Sequence, residues 1–120
     1  MSMPGHNNVY GLLKCDARIA ELAEIVRIHM SLADSEIEIK KSQFDGAETI
    51  IICSKNADFT AYRGATDGEL LFNGVVAGND QEVWGFVKEL HRTLAAADFR
   101  PRFEIYGEDN TFLAYFEARP

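Results

Sequence analysis

The stretch DARIAELAEIVRIHMSLADSEIEIK, residues 16–40, decides the reading of the fold. From Asp16 to Ala33 its apolar residues recur at helical spacing, and Asp16 stands where a helix N-cap belongs. Its last part, Glu36-Ile37-Glu38-Ile39-Lys40, alternates strictly, the pattern of a strand with one buried face. The same order returns about 64 residues later. Ile19 falls on Val83, Leu22 on Phe86, Ala23 on Val87, Val26 on Leu90, Met30 on Leu94 and Ala33 on Ala97. Asp16 and Asp34 fall on Asp80 and Asp98, Gly11-Leu12-Leu13 answers Gly74-Val75-Val76, and Ile37-Glu38-Ile39 answers Phe103-Glu104-Ile105.

Outward from this echo, the chain reads as a polar tail over residues 1–8 and one domain from 9 to 120. Val9 to Lys14 forms a first strand, Asp45-Gly46 turns the chain, and Thr49 to Cys53 returns as a strand. Residues 58–63 form a bridging strand between a unit spanning 9–54 and a second spanning 70–118. In the second unit, Asn79-Asp80-Gln81-Glu82 has the form of a capping box. Pro101 stops the helix that follows. Arg102 to Tyr106 and Thr111 to Glu117 make the last hairpin. The expected fold is α+β: two pseudo-repeated strand-helix-strand-strand units forming an antiparallel sheet layer packed against two helices.

A duplicated strand-helix-strand-strand order is similar in topology to the vicinal-oxygen-chelate (glyoxalase-like) fold. It also resembles the duplicated small-molecule-binding domains of gyrase-inhibitor-like regulators. The first resemblance implies metal ligands on strands. Here His6, His29 and His91 lie in the tail and on the two helices, so no residue is carried across. There is no Gly-rich phosphate loop, no Ser-His-Asp order and no nucleotide fingerprint.

A net charge of −7 over 120 residues argues against a nucleic-acid partner and favours solubility; it permits a basic protein or cationic ligand, though a solvated acidic surface without such a partner is the commoner explanation. The two cysteines, Cys15 and Cys53, lack metal-ligand spacing and read as reduced thiols. No run approaches the ~20 apolar residues of a membrane span, and the first residues lack the apolar core of an export signal. A cytoplasmic location without a membrane partner follows as the expectation, with neither cofactor nor metal required.

Two surfaces stand out. If Ile37, Ile39, Phe103 and Ile105 face the helices, then Glu38, Lys40, Arg102, Glu104 and Tyr106 face the other way. Partner strands such as Ile50-Ile51-Ile52 are apolar on both parities, so this second face is expected to be covered by a ligand, a second copy or the bridging segment. Glu38, Arg102, Glu104, Tyr106 and Tyr115 are the candidate ligand-binding residues. A twofold seam would bring Glu38 and Glu104 together and raise one carboxyl toward general-acid range, whereas separate pairing with Lys40 or Arg102 would leave both structural. On the first helix, Ile25, Ile28 and Leu32 form a second apolar stripe, where the second helix has Glu89, Arg92 and Ala96; this stripe is the candidate partner or homodimer surface. Trp84, Val87 and His91 read as a core edge. The function expected is a small acidic binding or regulatory protein without catalysis, contacting a protein partner or itself. The alternative is a small-molecule-binding or weakly catalytic domain with its cleft at the seam.

Overall fold

A computed structural model describes residues 8–15, 18–107 and 111–117. Seven strands and two helices follow in the order β1 (Asn8–Lys14), α1 (Ile19–His29), β2 (Ile37–Lys41), β3 (Glu48–Cys53), β4 (Ala57–Arg63), β5 (Glu69–Val76), α2 (Asp80–Ala96), β6 (Arg102–Tyr106) and β7 (Phe112–Glu117). The strands make one antiparallel sheet in the order β2-β3-β4-β5-β1-β6-β7. The fold is thus α+β, with a single antiparallel sheet and two helices. The expected N-cap Asp16, residues 1–7 of the expected tail and the turn residues 108–110 lie outside the described residues, and Asn8, expected to end the tail, opens β1.

Strand alternation produces the core. Val9 and Leu13 of β1, Ile50 and Ile52 of β3, Phe59 and Ala61 of β4, Leu70 and Phe72 of β5, and Phe103 and Ile105 of β6 are buried. They share one cluster with Leu22, Ala23 and Val26 of α1 and with Val83, Val87, Leu90 and Leu94 of α2. Both helices therefore cover the same side of the sheet. Asn79 caps α2 as its sequence indicates: its Oδ1 accepts from the Glu82 amide at 2.8 Å, and Glu82 Oε1 accepts from the Asn79 amide at 2.9 Å.

Two expectations are corrected. The first concerns α1, which ends at His29 rather than at Ala33. Ser31 takes a left-handed φ of 53°, the Ser31 amide donates to the Ile28 carbonyl, and the Leu32 amide donates to the Arg27 carbonyl. This closing turn takes Leu32 off the helical wheel and into the core, where it is 6% exposed. Ile25 packs against the same core, and only Ile28, 63% exposed, remains outside. The apolar stripe Ile25-Ile28-Leu32 is therefore not a continuous surface.

The second concerns the bridging strand, one of the three expected covers of the second face. The β6–β7 hairpin lies directly beside β1, but β2 is the far edge strand, and β4 sits beside β5 instead. The bridging strand is thus an integral sheet member, and it does not cover the second face. Gly11 pairs with Phe103 of β6, and Gly74 pairs with Phe59 of β4. β2, which echoes β6 in sequence, stands at the far edge of the sheet, two strands beyond β4.

Candidate functional site: the open face of the sheet

The face away from the helices is open among the described residues. One cross-strand row runs over all seven strands: Glu38–Ile51–Thr60–Asn73–Tyr10–Glu104–Tyr115. A neighbouring row holds Tyr62, Leu71, Leu12, Arg102 and Glu117. Tyr106 pairs with Phe112 at the end of β6, so all four tyrosines of the chain stand on this face. Strand parity puts them there, since each is an even number of residues from an open-face neighbour and an odd number from a core one.

At the β5-β1-β6-β7 end of this face lies a shallow hollow of about 230 Å³, bordered by Tyr10, Leu12, Asn73, Arg102, Glu104 and Tyr115. Its polar groups already bond one another. Asn73 Oδ1 accepts from the Gly11 amide at 3.1 Å, and its Nδ2 donates to the Tyr62 hydroxyl at 3.2 Å. Tyr106 Oη donates to Glu104 Oε1 at 2.8 Å, which raises the Tyr106 phenol above its ordinary value. Tyr115 Oη donates to Glu117 Oε2 at 2.7 Å. The Arg102 guanidinium is held more firmly charged, chiefly by its hydrogen bond with Tyr115. The Tyr10 and Tyr106 rings meet edge to face at 5.7 Å, and Tyr106 meets Phe112 at the same distance. Such an array fixes aromatic faces and hydroxyls in place; it offers no activated nucleophile.

Of the residues expected from the sequence, Arg102, Glu104 and Tyr115 border the hollow, and Tyr106 adjoins it through Glu104. Glu38 does not join them. Five strand spacings separate it from Glu104, roughly 24 Å, so the two carboxylates share no cleft. Tyr10, Tyr62 and Asn73 were not singled out by the sequence. Counting the parity of every tyrosine against the apolar residues of its own strand finds the two tyrosines, though not Asn73.

Elsewhere, His91 is half-buried against Phe103 and Phe116, and its Nε2 donates to the Pro101 carbonyl at 3.1 Å. Trp84 packs on Phe116 with ring centroids 5.8 Å apart. His29 Nδ1 and Thr93 Oγ1 lie 2.9 Å apart and tie α1 to α2. A larger hollow of about 460 Å³ opens beside the start of α1, between Cys15, Ile19, Glu48, Arg63 and Asp67. Residues 16 and 17, between two of its lining residues, are outside those described. Among the described residues no helix is long and apolar enough to cross a membrane, and no group of three His, Cys, Asp or Glu side chains is placed to hold a metal ion.

No protein-family model, curated protein or solved structure matches this chain, so the site's own geometry carries the functional argument.

Proposed function

We propose that this chain is a small, acidic, cytoplasmic binding protein that recognises a protein partner through the open face of its sheet, without catalysis. The observation that carries this reading is the gathering of all four tyrosines, with Phe112 and Arg102, on one face that is open among the described residues. Tyrosine offers a large contact area with few rotors to freeze and a hydroxyl for polar contact, and tyrosine and arginine are the residue types that dominate binding hot spots. The 230 Å³ hollow falls below the roughly 300–1,000 Å³ of small-molecule sites and suits one inserted side chain of a partner. The net charge of −7 favours a basic partner. Cys15 and Cys53 form no disulfide, which suits a reducing compartment. The echo between β1–α1 and β5–α2 fits descent from a duplicated unit, since Gly11 and Gly74 each lie beneath a cross-strand phenylalanine.

The test is affinity capture with three baits: wild type, the double variant Tyr10→Ser/Tyr62→Ser, and Ile28→Asp. A partner held by wild type and by Ile28→Asp, and lost by the double variant, is the expected result when repeated with purified components. A partner retained by the double variant refutes the reading. The hollow's polar lining favours one second reading, a small-molecule subsite. A metabolite that raises the melting temperature of wild type but not of Glu104→Gln would establish it.

A further inference from the structure

The two edges of the sheet are built differently. On β2 the exposed side chains include Glu38, Lys40 and Lys41, and charged residues, lysine above all, discourage a further strand from adding. On β7 the run Phe112-Leu113-Ala114-Tyr115-Phe116 carries no charge before Glu117. The irregularity in its pairing with β6 is confined to the start of the strand, and Ala114 to Glu117 lie in regular register with Ile105 to Arg102. Apolar side chains flank this edge above and below. Phe112 and Tyr115 are 54% and 44% exposed on the open face, and on the helix side Trp84, 41% exposed, packs on Phe116. The outward backbone groups of β7 face no further strand among the described residues, and with an apolar rim on either side this edge invites strand addition.

We propose that β7 is a homodimer interface, where a second copy of this chain adds its own β7 antiparallel and joins the two sheets into one. Self-pairing in this sense is isologous: apolar residues meet apolar residues, and the two Glu117 carboxylates go to opposite ends. A parallel arrangement would set them side by side. Pairing the two edges buries Phe112, Tyr115 and Trp84 of both copies, a small interface of the kind that associates weakly. The partner copy also completes the binding surface, because Tyr115 borders the hollow and stands on the edge strand. The tyrosine faces of two copies then run together.

Sedimentation velocity over a low- to high-micromolar concentration series reads this directly. Wild type should pass from monomer to dimer. Tyr115→Lys and Phe112→Lys should each raise the dissociation constant at least about tenfold, while Ile28→Asp leaves it unchanged. Circular dichroism melts verify folding, and Phe112, with its large exposure, keeps the test valid if Tyr115→Lys does not fold. Slowed hydrogen exchange at the outward β7 amides with rising concentration would support the same interface. A monomer across the whole series, or a dimer indifferent to both lysine variants, overturns the proposal. Neither result touches the open-face reading, whose test uses Tyr10 and Tyr62 on interior strands.

Discussion

Gly11 lies beneath the ring of its cross-strand partner Phe103: a Cβ at residue 11 would stand 2.5 Å from Phe103 Cε1 and 2.6 Å from the Phe72 carbonyl oxygen. Gly74 is placed alike under Phe59 and against the Asp58 carbonyl oxygen. These two absent side chains let aromatic rings lie flat on the central strands, with the helices above them. Gly11→Ala should cost about 1–3 kcal/mol through displaced rings. Gly74→Ala should cost more, because its Cβ would press closer on a backbone oxygen, that of Asp58, than a Cβ at residue 11 would on that of Phe72. Urea denaturation of each variant measures the difference, and equal, small losses would contradict it.

The fate of Leu32 separates core from surface on one short segment. Leu32→Ala should destabilise by about 2–3 kcal/mol, as a buried leucine does. Ile28→Ala should stay within about 0.5 kcal/mol. The reverse order in thermal or chemical melts would restore the apolar stripe on α1.

Helix ends offer gains as well as losses. Ser31 and Asp98 both hold a left-handed φ, 53° and 66°, at positions that glycine occupies with less strain. Ser31→Gly should therefore stabilise the fold by about 0.5–1 kcal/mol. Asn79→Ala removes the side-chain acceptor of the α2 cap and should cost about 1 kcal/mol.

Two histidines set a pH dependence. Burial lowers both His29 and His91 below the ordinary 6.5, opposed at His29 by Glu89 and at His91 by the Pro101 and Glu117 carbonyls. Between the folded and unfolded values the unfolded chain binds more protons, so stability is complete above about pH 6.5 and falls as the pH drops below it. Glu21 and Glu24, lowered by their hydrogen bonds with Arg18 and Arg27, act only in a more acidic window. The melting temperature should decline between pH 7 and pH 5.5, and His29→Gln/His91→Gln should flatten that decline. An unchanged slope in the double variant would remove the histidines as its cause.

Local sequence determined the two helices, the capping box at Asn79, the alternating strands and the one-sided placement of Phe103 and Ile105. These depend on periods of 3.6 and 2 residues, which each segment carries within itself. Only the tertiary structure decided which strand neighbours which. The pattern Ile37-Glu38-Ile39 matches Phe103-Glu104-Ile105 in facing, but nothing local states that one will be an edge strand and the other a neighbour of β1. That choice depends on how the whole chain buries its apolar surface. It parts Glu38 from Glu104 and turns Leu32 inward. It also gathers Tyr10, Tyr62, Tyr106 and Tyr115, scattered over about a hundred residues, onto one face.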